Sequence, residues 1–142
     1  MEEICIINGP NLNLLGKRQP EIYGSLSFDK FFDQLEKIFP DNKIHFFQSN
    51  SEGSIIDRIH EFGFSENTGL VLNAAGYSHT SVAIADAVAA VNSPVVEVHI
   101  SNVFAREDFR HKSLIAPNCV ATLSGMGLYG YQAAINFLLQ RS

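Results

Sequence analysis

The strongest constraint on this chain is an alternation of two kinds of segment. Short runs of β-branched and other apolar residues, at Ile4–Ile7, Ile44–Phe47, Leu70–Leu72, Val95–Ile100 and Cys119–Leu123, are separated by segments whose apolar positions recur at helical spacing. The runs are too short for helices and rich in β-branched residues, so they predict strands, which a parallel sheet buries on both faces. Between them, Ser25–Phe39 carries Leu26, Phe31, Phe32, Leu35 and Ile38 at helical intervals, and Ile55–Phe62, Thr80–Val91 and Tyr131–Leu139 repeat the pattern. Glu107–Leu114 is a shorter helical candidate.

Strand and helix in alternation build a parallel sheet with helices on both faces. The simplest form is a flavodoxin-like α/β three-layer sandwich, a five-stranded parallel sheet of order 2-1-3-4-5. At 142 residues, the chain predicts a single flavodoxin-like domain over residues 1–142, since a chain of this size buries roughly 68–70% of its unfolded surface. That topology also predicts where a ligand goes. It binds beyond the carboxyl ends of the strands, where the order switches. The polar segments after the strands converge there: Asn8–Tyr23, Gln48–Gly53, Asn73–His79 and His99–Asn102.

A formal net charge of −5 argues against nucleic acid as the main partner, because phosphate backbones must be met by a basic face. It leaves open a small anion, which responds to local groups. The start, Met1-Glu2-Glu3 followed by a short apolar run, has no pattern of a secretory signal, and no segment predicts a membrane span. Cys5 in the first strand and Cys119 at the head of the last read as reduced core thiols, so cytoplasm is the expected compartment.

The first loop raises the question of a phosphate cradle, since Gly16-Lys17 follows Gly9. A P-loop needs four residues between its glycine and Gly-Lys, then Ser or Thr. Here six residues intervene and Arg18 stands where the hydroxyl belongs. The segment Gly125-Met126-Gly127-Leu128-Tyr129-Gly130 matches the dinucleotide fingerprint by letter. It lacks the following strand and acidic residue about 20 positions on, so a tight turn with close helix packing is the favoured reading.

Three constellations remain. In Val95–Ser101 a period of two puts Glu97, His99 and Ser101 on one face of a buried strand. A carboxylate satisfying a core histidine is the structural reading; its place at the end of a central strand favours general acid–base chemistry. In the first loop Tyr23 is the one plausible proton acceptor, and a phenol needs a cation such as Arg18 to act as a base at neutral pH. A solvated loop is the alternative. In Val82–Val91 Asp86 interrupts an otherwise apolar helix, which predicts a subunit interface with Asp86 paired across it or aimed into a site. Metal binding through His79, His99 and Glu97 lacks any close ligand spacing. Neither cysteine sits where a nucleophile would. His45, His60 and His111 predict surface or packing roles.

Together these stretches resemble type II 3-dehydroquinate dehydratase. The resemblance runs in order through Ile7–Gly16 with Arg18, Pro20 and Tyr23-Gly24; Gln48-Ser49-Asn50 and Glu52-Gly53; Asn73–Tyr77 with His79-Thr80-Ser81 and Asp86; Glu97–Asn102; and Arg106-Glu107 with Phe109-Arg110. It implies conversion of 3-dehydroquinate to 3-dehydroshikimate without metal or cofactor, in a dodecamer of four trimers. Tyr23 would be the base, held as phenolate by Arg18, with the enolate stabilised through water held by Asn11. His99, oriented by Glu97, would protonate the leaving hydroxyl. Asn73, His79, Ile100, Ser101 and Arg110 would contact substrate, Asp86 would come from the adjacent subunit, and Arg106 would belong to a mobile wall. The implied setting is the shikimate pathway or, by the same reaction, quinate breakdown. The rival from another class is a flavodoxin-like module binding a flavin or a phosphoryl group.

Overall fold

The computed structural model describes residues 1–17, 21 and 26–141. Five strands, β1 (Glu3–Asn8), β2 (Lys43–Gln48), β3 (Thr68–Asn73), β4 (Val95–His99) and β5 (Ala121–Ser124), form one sheet. Every neighbouring pair is parallel and the order is β2-β1-β3-β4-β5, the flavodoxin-like arrangement expected from the alternation. Asn8 stands in register with Gln48 on one side and Asn73 on the other. Three polar side chains thus meet at the carboxyl edge where the order switches.

Among the described residues, four helices cover the sheet: α1 (Phe28–Ile38), α2 (Glu52–Gly63), α3 (Val82–Ala90) and α4 (Tyr129–Gln140). Successive strand residues point to opposite faces, so each buried strand feeds two cores. Ile4, Ile6, Val71, Val96 and Val98 pack with the buried residues of α1 and α4, whereas Cys5, Ile7, Leu70, Leu72 and Val95 pack with those of α2 and α3. Serine begins three of the helices: Ser27, Ser51 and Ser81 accept the N–H groups of Lys30, Ser54 and Ile84. Each such cap is worth about 1 kcal/mol.

Several expectations are corrected. The candidate helix at Glu107–Leu114 is a single 3-10 turn, Asp108–Arg110. Its continuation is prevented because later donors find other partners: Leu114 N–H goes to Ser78 O, and Ile115 and Ala116 N–H go to Ser113 Oγ. The last strand starts at Ala121 rather than Cys119, since a 3-10 turn over Ala116–Asn118 engages the Cys119 N–H. Cys119 is therefore partly buried in a loop, while Cys5 is fully buried in β1. His45 is not a lone packing residue, because its Nε2 lies 2.7 Å from Glu3 Oε2. His111 Nε2 donates to Arg106 O at 3.0 Å, bracing a segment of the site.

Helix α3 buries Ile84, Ala85, Ala87 and Val88, and leaves Val82 63% exposed. Asp86 lies on the exposed side of the same helix. Among the described residues no helix is long and apolar enough to cross a membrane.

Candidate active site

The cleft at the switch point begins with a backbone constraint. Gly9 N–H donates to Asn73 O at 2.7 Å, and a Cβ on Gly9 would lie 2.6 Å from the Ala74 carbonyl oxygen. Only glycine allows this approach, so Gly9 serves chain crossing rather than phosphate binding. Asn11 follows in the left-handed conformation, at φ 69°, which asparagine tolerates better than most residues. Its N–H donates to Asn50 Oδ1 at 3.0 Å, while Gln48 Nε2 donates to Gly9 O and Asn50 Oδ1. Tyr77 O–H donates to Asn50 O. These bonds tie the first loop to the segments after β2 and β3.

A buried polar chain lies beneath the cleft. Ala75 is left-handed at φ 53°, and its N–H donates to Asn73 Oδ1 at 3.1 Å. That fixed donor decides the rest. Asn73 must present Nδ2 to Tyr131 Oη at 2.9 Å, and Tyr131 must donate to Asn8 Oδ1 at 2.8 Å. Asn8 Nδ2 is left with no partner among the described residues. Burial raises the Tyr131 phenol well above its ordinary value, so this O–H remains a donor. Tyr131 was not anticipated as a site residue. A tyrosine on the buried face of a helix needs a polar partner, and that requirement was the available signal.

The carboxyl end of β4 carries the second half. Glu97 is 2% exposed and His99 8% exposed, and Glu97 Oε2 lies 3.4 Å from His99 Nε2. Glu97 and His99 share the face of the sheet turned to α2 and α3, as the period of two predicts. Ile100 and Ser101 leave the strand at once. Gly127 N–H donates to Ile100 O, and Gly125 N–H to His99 O and Ser101 O. Gly125 and Gly127 both have positive φ, at 84° and 60° respectively, and a Cβ on Gly130 would press on Val98 at 3.3 Å. The glycine pattern is thus a turn and a helix-packing device that holds the floor of the cleft.

The histidines have distinct anchors. His79 Nδ1 lies 2.8 Å from Lys112 O, so Nδ1 carries the proton and Nε2 has no partner among the described residues. The ring lies 6.0 Å from that of His99, 19° from parallel. Arg106 donates to Ser101 Oγ at 3.2 Å, and Arg110 Nε donates to Glu107 Oε2 at 3.1 Å. The Glu107 carboxyl is held below its ordinary range, first by its own backbone N–H and then by Arg110.

Of the expected site residues, Asn11, Asn73, His79, His99, Ile100, Ser101, Arg106 and Arg110 line one cleft, with Leu12, Leu14 and Leu15 forming an apolar wall. Glu97 stands behind His99. Asp86 does not line this cleft, and it has no hydrogen bond or ion pair to the described residues. Arg18 and Tyr23 lie outside the described residues. Among the described residues lining the cleft are two arginines and two histidines but no carboxylate. An acidic chain therefore contains a locally cationic cleft, suited to an anion with a hydroxyl-bearing body. The described residues hold no group of three His, Cys, Asp or Glu side chains arranged for a metal ion.

Residues 2–139 match the model of the family described as dehydroquinase class II. The chain is 51% identical to 3-dehydroquinate dehydratase of Clostridium botulinum strain Okra, covering 98% of this chain and 95% of that protein. It is 49% identical to the enzyme of the same name from Campylobacter jejuni strain 81-176, covering 97% and 87%. Type II dehydroquinase from Butyrivibrio crossotus superposes with a TM-score of 0.93 at 42% identity, over 97% of each chain. That from Propionibacterium acnes does so at 0.93 and 37% identity, over 99% of this chain and 97% of the other. The sheet order, the cleft at its switch point and the whole-length sequence match agree: this chain is an enzyme of the class II dehydroquinase family.

Proposed function

We propose that the chain dehydrates 3-dehydroquinate to 3-dehydroshikimate through an enolate, as one catalytic domain in the shikimate pathway of aromatic amino acid biosynthesis. The observation that carries this reading is the buried Glu97–His99 pair at a cleft lined by Arg106 and Arg110 and by no carboxylate among the described residues. The cations suit the substrate carboxylate, and the histidine backed by an acid suits departure of a hydroxyl.

Tyr23, as a phenolate supported by Arg18, takes the proton beside the substrate ketone. The electron pair passes into an enolate, stabilised through water held by Asn11. Collapse of the enolate breaks the carbon–oxygen bond while His99 gives its proton to the departing hydroxyl, which leaves as water. Tyr23 then holds one proton more and His99 one fewer, so a proton must return before the next turnover. Asn73, Ile100, Ser101, His79 and Arg110 orient the ring, with Arg106 in the wall. The exposed apolar side of α3 supports a subunit contact that brings Asp86 into a neighbour's site, within a dodecamer of four trimers. The cell interior is the compartment that fits this metabolic role.

The test separates the two proton transfers. Tyr23→Phe should abolish both dehydration and exchange of the substrate's acidic proton with deuterated solvent. His99→Asn should suppress dehydration more than exchange. A Tyr23→Phe variant retaining most of the wild-type rate would remove the base from this scheme.

A further inference from the structure

Behind the histidine lies a hydroxyl that the reaction as described does not use. Ser113 Oγ is 2.5 Å from Glu97 Oε2, and it is also 3.2 Å from Ile115 N and 3.1 Å from Ala116 N. The two backbone N–H groups only donate, so Oγ accepts both and directs its single proton to the carboxylate. Glu97 Oε2 is therefore held as the acceptor of the serine proton, which fixes the rotation of the carboxylate.

Ser113 and His99 also meet the same carboxylate oxygen. Glu97 Oε2 takes the serine proton and stands 3.4 Å from His99 Nε2. The serine is itself fixed by the start of the 3-10 turn Ala116–Asn118. Backbone, hydroxyl, carboxylate and imidazole thus form one chain ending at the cleft. The neighbouring titratable and charged groups are His79 against the His99 ring, Arg110 and His111 around a small cavity beside Ser113, Arg106 in the cleft wall, and Cys119, which feels the Glu97 charge.

We propose that Ser113 is a positioning residue for the proton donor: it fixes the rotation of Glu97, and through Glu97 it holds His99 in place to protonate the leaving hydroxyl. The proposal rests on His99 acting as that acid. Nothing in Ser113-Leu114-Ile115-Ala116 announces it, because the contact joins the serine to a strand residue 16 positions earlier.

The experiment measures dehydration and solvent exchange of the acidic proton in parallel for the wild-type chain, Ser113→Ala and Ser113→Thr. Misplacing a proton donor should lower kcat by about tenfold or more, with KM changed by less than about threefold. The ratio of exchange to dehydration should rise in Ser113→Ala, and Ser113→Thr, which keeps the hydroxyl, should restore the wild-type ratio. A folded Ser113→Ala with kcat within about twofold of wild type would overturn the proposal. Equal loss of exchange and dehydration would do so too, since it reports general damage to the cleft. If Ser113→Ala does not fold, Ser113→Cys keeps the volume with a weak donor and carries the same expectations. A wild-type chain that fails to dehydrate the substrate overturns the reaction itself, whereas a failure confined to the variants overturns only the role of Ser113.

Discussion

Glu107, whose carboxylate lies outside the cleft lining, accepts a hydrogen bond from Arg110 Nε at 3.1 Å. The same carboxylate lies 3.8 Å from Arg106 Nε. One anion at the rim therefore braces the two cations that line the cleft. Glu107→Gln should raise KM by about two- to fivefold with little change in kcat, the scale expected for an exposed pair. The lowered Glu107 value gives the sign of the pH effect. Bracing is present above the ordinary carboxylate range and is lost as pH falls through the folded value. Steady-state kinetics carried below the ordinary carboxylate range should show KM rising toward low pH in the wild type and a flatter trend in Glu107→Gln.

Tyr131→Phe should destabilise the chain by about 1–3 kcal/mol, because it removes one hydroxyl and leaves two buried partners, Asn73 Nδ2 and Asn8 Oδ1. Asn73 would also lose the bond that orients its amide at the cleft. Denaturant unfolding should report the lost stability, and KM should rise. Unchanged stability would mean that the two asparagines re-pair directly.

Gly9→Ala places a methyl group 2.6 Å from the Ala74 carbonyl oxygen. Backbone cannot yield as a flexible side chain does, so the crossing must open, at a cost of about 1–3 kcal/mol or more. Asn11 and Asn73 sit on the two segments that would separate. A lower melting temperature with reduced kcat/KM is expected, and an unaffected variant would show that the crossing is looser than described.

Both cysteines should be unreactive in the native chain. Burial pushes the Cys5 thiol up to about 12, and burial together with the Glu97 charge does the same for Cys119. Since each folded value is raised, the stabilising contribution is full below the ordinary thiol range and is lost as pH rises toward about 12. A disulfide reagent near pH 8 should modify neither thiol until denaturant is added. Rapid labelling of native Cys119 would show that its loop opens.

Sheet order and the placement of the cleft were legible because the period of the apolar residues and the polar turns after each strand carry that information directly. Glu97 and His99 were legible as a pair because two residues along one strand share a face. What escaped depends on contacts between distant segments. Ser113 meets Glu97, Tyr131 meets Asn8 and Asn73, and Glu3 meets His45 across strands. The false helix at Glu107–Leu114 has the same origin: its backbone donors are taken by Ser78 and Ser113, and local spacing does not register that competition. Tyr23, Arg18 and Asp86 stand out in the sequence as a phenol, a cation beside it and an isolated acid, and only the family resemblance ties them to a substrate.

The central claim is tested most directly by mixing the purified wild-type chain with 3-dehydroquinate and following the ultraviolet absorbance of the conjugated enone formed when water leaves. The account predicts a protein-dependent rise that continues over many turnovers without added metal or cofactor, and is lost in Tyr23→Phe. Absorbance that rises no faster than in the protein-free control, with the chain folded, would contradict it.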